Sequence, residues 1–214
     1  MEKREYNDPL WHVQSAVVIA LVLQILLPPK LVVGPRYFVP IIEGLLLIGL
    51  TVATPNEYSS YSRTRRTVAI VLILLTSIAN AISLFLLVHY LTAGGKAEGK
   101  ELIFAAVNIF ITNIIAFGLL YWEMDAGGPG VRHSATPKLP DFLFPQLDVK
   151  SVMPPGWIPT FLDYLYISAT NSTAFSPTDA LPLTHRAKML MLSQSLVSLI
   201  TVALVTARAV NILA

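Results

Sequence analysis

The chain of 214 residues contains no cysteine. Disulfides, thiol nucleophiles and cysteine-held metals are thereby excluded, and nothing marks the redox compartment. Charge is scarce as well. Only 13% of residues are charged, against about 25% in soluble domains. Histidine stands only at positions 12, 89, 133 and 185, with no i,i+4 pair of the kind that holds a metal. No serine sits in a nucleophile elbow and no glycine loop is laid out for phosphate. An enzyme is therefore the class with least support, and no cofactor is expected. Nor is there a basic stripe suited to nucleic acid. What the chain does have is apolar residues, 54% of the total. One soluble core at this length cannot hide so much, whereas a bilayer accepts it directly.

Five apolar runs cover residues 13–27 (extendable to 33 across Pro28 and Pro29), 37–54, 67–91, 102–122 and 187–213. Each approaches or exceeds the roughly 20 residues that cross a hydrocarbon layer as a helix. The first is cut by its proline pair, and the second holds Pro40 and Glu43. The expected fold is all-α, a polytopic membrane helix bundle of five hydrophobic segments. Its expected parts are a two-helix membrane segment (1–66), central membrane helices (67–123), an extramembrane cap rich in proline and glycine (124–160) and a last membrane segment (161–214). Pro28-Pro29-Lys30 follows the first run with no small-residue cleavage site, which reads as an anchor and not a removed signal peptide. Trp11, Tyr37, Tyr90, Tyr121 and Trp122 end the runs, where amphipathic rings favour the membrane interface. Basic residues over all loops would put the long connection before the last run in the cytoplasm, but the short loops alone decide no orientation.

Residues 161–170 read as a short amphipathic helix, too short to span. They lead into Asn171-Ser172-Thr173-Ala174-Phe175-Ser176-Pro177-Thr178-Asp179, dense in hydroxyls and holding a helix breaker, and then into the last run. A half-helix, a hydroxyl-rich turn and a full helix form the layout of a re-entrant loop. Irregular backbone is tolerated at membrane depth only where it is buried in protein or lines water. The run Thr173 to Asp179, with Pro182, Thr184 and a basic residue at the head of the last helix, resembles the pore module of the potassium-channel superfamily, T-x-G-Y-G-D-x-x-P-x-T. The resemblance covers about the last 60 residues, or half the chain if the fourth run plays the outer helix. Tyr121-Trp122-Glu123, Gly127-Gly128-Pro129, residues 141–146 and residues 174–179 also resemble wording shared by a group of uncharacterised bacterial integral membrane proteins. That likeness implies a bacterial cytoplasmic membrane and no activity.

The filter departs from the resemblance. Ser176 and Thr178 stand where the module has glycines, and Pro177 where it has tyrosine. Glycine permits the backbone conformations that turn successive carbonyls toward an ion, and proline fixes φ. A potassium-selective carbonyl stack is thus not expected. What the resemblance implies is a weakly selective pore for monovalent cations in a homo-oligomer, a tetramer by preference, with Thr170 to Asp179 as the filter-like loop. Ser-Pro-Thr-Asp is equally a common turn and helix-cap sequence.

Other polar residues interrupt the runs. Gln194, Ser198, Thr201 and Arg208 share one face of the last helix, suiting a pore lining or a polar seam between helices. Arg208 can also snorkel to the interface. Thr76, Asn80 and Ser83, and likewise Asn108 and Thr112 with Asn113 beside them, read as packing seams. Glu43 is an intramembrane acid, by default a functional candidate. Two other readings stay open beside the cation pore: a non-conducting scaffold or sensor whose cap binds a partner, and a small proton-coupled transporter using Glu43.

Overall fold

The computed structural model describes residues 9–52, 63–93, 99–134, 138–148, 157–174 and 180–213, with side chains to residue 207. The elements are α1 (Leu10–Leu26), α2 (Phe38–Val52), α3 (Arg63–Thr92), α4 (Gly99–Met124), α5 (Pro129–Arg132), β1 (Phe142–Leu143), α6 (Pro145–Asp148), α7 (Phe161–Ala174), β2 (Leu181–Pro182) and α8 (His185–Leu213). The helices α3, α4 and α8 are long and apolar enough to cross a membrane, and α1 and α2 are shorter apolar helices of 17 and 15 residues. The only strands among the described residues, β1 and β2, pair Phe142 with Pro182 and Leu143 with Leu181.

Burial is inverted relative to a soluble bundle. Outward residues include Phe85, Leu45, Ile48 and Leu196, each more than half exposed, while Glu43, Gln194 and Ser198 are fully buried. Apolar side chains facing outward over helices of this length suit lipid tails, and polar groups turn inward to find partners. The chain reads as an integral membrane protein.

Pairs of contacts fix two ends of the bundle. At one end, Gln14 of α1 donates to Thr51 of α2, and Arg66 of α3 donates to the Glu123 carbonyl of α4 at 3.1 Å. At the other, Lys30 meets Glu101 at 2.7 Å and lies over the Tyr90 ring. There Arg36 also donates to the Ile25 carbonyl, placing a cation at the C-terminal end of α1. So α1 and α2 form a hairpin that runs beside α3 and α4 from end to end. Pro28 and Pro29 fall in the turn of this hairpin, and Pro40 falls in the first turn of α2, where proline removes no helical donor.

The cap sits over the end where α4 finishes. After α4 the chain reverses through Ala126, Gly127 and Gly128, at φ of 53°, 87° and 95°. A side chain at Gly128 would lie 3.0 Å from the Glu123 carbonyl oxygen, so glycine is required there for space as well as conformation. Asp125 holds the returning chain. Its Oδ1 accepts the amides of Asp141 and Phe142, and its Oδ2 accepts the Tyr164 hydroxyl. Tyr121 and Trp122 therefore differ from the interfacial placement expected of them. They are 0% and 2% exposed, with Tyr121 against Phe142 and Trp122 edge-on to Phe161, because the cap folds back over the helix end.

Candidate functional site

The elements α4, α7 and α8 make one unit. Asp163 ties down the start of α7: the Thr160 amide and hydroxyl both donate to its carboxylate, at 2.7 and 2.8 Å. Thr184 caps α8, accepting from the Ala187 amide and donating to Asp141 at 2.6 Å. Both helices thus begin at the cap end. Phe161 lies against Trp122, while Ser168, two turns on, donates to the Ile114 carbonyl of α4 at 2.6 Å. So α7 runs antiparallel to α4, away from the cap. Gly118 allows the approach, since a Cβ there would come within 3.1 Å of Leu165 Cα. Near its start α7 carries Tyr164, whose hydroxyl burial pushes well above the ordinary tyrosine range; it stays protonated and serves Asp125 as donor.

Gln194 is the hub between these helices. Its amide reaches the Ser168 carbonyl at 2.9 Å, Ser168 Oγ at 2.6 Å and Ser172 Oγ at 2.8 Å. Its carbonyl accepts from Tyr121 at 2.5 Å and from Asn171 at 2.9 Å. Asn171 also donates to the Met191 carbonyl at 3.0 Å and accepts from Ser195. One turn on, Asn113 donates to Ser198 at 3.0 Å. Thr201 returns its proton to the Val197 carbonyl. The three residues expected to line a pore, Gln194, Ser198 and Thr201, thus lie on the α8 face turned into its own chain. The outward face carries Leu192, Leu196 and Leu199. The side chain of Arg208 lies outside the described residues.

The filter-like loop divides. Thr170, Asn171, Ser172, Thr173 and Ala174 are helical, although the sequence reading ends the helix at Thr170 and begins a turn at Asn171. The helix continues because Thr170 and Thr173 donate back to the Tyr166 and Ala169 carbonyls, and Asn171 and Ser172 find partners on α8. Phe175, Ser176, Pro177, Thr178 and Asp179 lie outside the described residues.

A second polar centre lies among α1, α2 and α3. Glu43 is 0% exposed. Its Oε1 accepts from Thr76 at 3.0 Å and from Gln24 at 3.3 Å, and its Oε2 has no partner. Thr76 stands in the seam that its spacing predicts, with Asn80 donating to the Ile109 carbonyl. Gln24 escapes sequence reading. The available signal is a lone amide in an apolar run, set opposite Glu43 by the hairpin. Among the described residues no group of acids and histidines is arranged to hold a metal.

The chain matches no family model, no curated protein and no solved structure.

Proposed function

We propose that α4, α7 and α8 form a re-entrant pore module of the kind the sequence resembles, and that the protein is a weakly selective monovalent-cation pore of a bacterial cytoplasmic membrane. The observation that carries this reading is the common starting end of α7 and α8. A helix of 14 residues reaches about 21 Å from its start, and the chain then returns to the cap end to pair β2 with β1. Such a descent and return supports a re-entrant reading. The C-terminal end of α7 carries the negative end of its dipole, which favours a cation. In sequence, residues 175–179 between α7 and β2 carry hydroxyls and Asp179.

With the polar stripe of α8 turned inward, the lining falls to its outward face, at Leu192, Leu196 and Leu199. Four copies meeting there would enclose an apolar vestibule that gates by dewetting. In this reading all five hydrophobic segments cross the membrane, with α1 and α2 as a peripheral hairpin.

Purified protein in vesicles tests it with potassium and sodium flux. The expected result is flux above that of empty vesicles, reduced by Asp179→Asn, from a particle of four chains. Absence of flux hands the fold to the non-conducting scaffold, whose cap captures a partner.

A further inference from the structure

Glu43 differs from Glu123, the other buried glutamate of the helices, which has Arg66 at 4.0 Å; among the described residues no ion pair reaches Glu43. Its hydrogen-bond partners are Gln24 on α1 and Thr76 on α3. Neither of these titrates. The charged groups lining the two clefts described next are Arg65 and Glu123 at one end and Arg36 at the other. A buried carboxylate without a counter-charge is costly in hydrocarbon, and a bound proton removes the charge.

The clefts lie to either side of the carboxyl. The one at the cap end is lined by Gln14, Thr51, Arg65 and Glu123 with Val17, Leu47 and Ile73. The one at the opposite end is lined by Arg36, Val33, Pro40, Ala79, Ser83 and Gln24, and Gln24 is itself a hydrogen-bond donor to Glu43. Along α2 the carboxylate falls between Pro40 and Leu47. Along α3 its partner Thr76 falls between Ile73 and Ala79, and along α1 the interval runs from Val17 to Gln24. On α2 and α1 that interval is seven residues, about 10 Å of helix. Each helix thus leaves one short closed stretch between the clefts, and Glu43 fills it.

We propose that Glu43 is a proton-binding site at the centre of α1, α2 and α3, loaded from the cleft at one end of the bundle and unloaded into the cleft at the other. In loading, a hydronium ion in the first cleft gives its proton to the unpartnered Oε2 and leaves as water. In unloading, the O–H bond breaks, a water in the second cleft takes the proton, and the carboxylate returns. Gln24 and Thr76 hold Oε1 through both steps, which fixes the direction in which Oε2 faces. The full burial of Glu43 makes this structure the occluded state, so a local shift of the α1–α2 hairpin must admit water from one side at a time. The site is independent of the α4–α7–α8 pore.

The test uses the full chain in vesicles with an imposed pH gradient, no sodium, and potassium clamped equal on both sides by an ionophore. The wild type is expected to dissipate the gradient faster than empty vesicles, and Glu43→Gln to fall to the empty-vesicle rate. Asp179→Asn should leave this proton flux unchanged while lowering cation flux, which separates the two sites. Wild-type dissipation equal to empty vesicles, or persisting in Glu43→Gln, overturns the proposal, and so does a flux that appears only when sodium is added. If Glu43→Gln does not fold, a membrane-soluble carbodiimide decides on the wild type, since it attacks protonated carboxyls. Attachment to Glu43, read by mass spectrometry and accompanied by loss of proton flux, supports the site. Labelling that spares Glu43, or that leaves the flux intact, overturns it.

Discussion

The bundle buries two polar centres, and they are built in opposite ways. Around Gln194 the donors and acceptors close on one another, and three helices supply them. Around Glu43 one oxygen is doubly satisfied and the other has no partner, with a cleft on either side. A closed network in hydrocarbon specifies how helices pack. An open one keeps a place for something that comes and goes. Polarity inside a membrane therefore does not by itself mark function; the unsatisfied atom is the better guide.

The sharpest way to break this contrast is at the hub. Gln194→Ala strips Asn171, Ser168, Ser172 and Tyr121 of a shared partner. With each membrane hydrogen bond contributing about 0.6–1.7 kcal/mol, a loss of about 2–4 kcal/mol is expected. It should be read as unfolding free energy in mixed micelles, with strong non-additivity against Asn171→Ala. Gly118→Val comes next. The added atoms meet the Leu165 backbone, and overpacking of this kind costs about 1–3 kcal/mol. Crosslinking between α4 and α7 should weaken in parallel. Glu43→Gln should behave oppositely, changing stability by less than about 1 kcal/mol because the amide keeps the shape and the two accepted bonds, while proton flux disappears. The smallest effect is expected for Ser195→Ala, whose single bond to Asn171 is long at 3.3 Å. It should change stability by about 0.5 kcal/mol or less, and a larger loss would mean that the hub extends further along α8.

Much of the architecture is legible in the chain. Apolar length locates the three long helices, and spacings of three and four put Thr76, Asn80, Ser83, Asn108, Thr112, Gln194 and Ser198 on buried faces. Which way a seam faces is not legible, since a helix face can meet its own chain or a second copy with the same residues. Gln194 is the case in point. The cap also hides its effect: Tyr121 looks interfacial until Asp125 draws Phe142 over it, and Trp122 until Phe161 of α7 meets it. Glu43 stands out from composition alone, but its partner Gln24 does not, because the pairing depends on the hairpin register between α1 and α2.

The two-residue pairing of β1 with β2 bears on how the protein is made. It ties Phe142–Leu143, ahead of α6 and α7, to Leu181–Pro182 after α7, so α7 lies in a stretch of chain whose two ends are held together. In the re-entrant reading proposed above, α7 does not have to be carried across the bilayer during synthesis. The half-helix can wait at the surface until α4 and α8 stand side by side, then slide between them as Gln194 takes up its partners. Insertion of α7 would then be a folding step and not a translocation step.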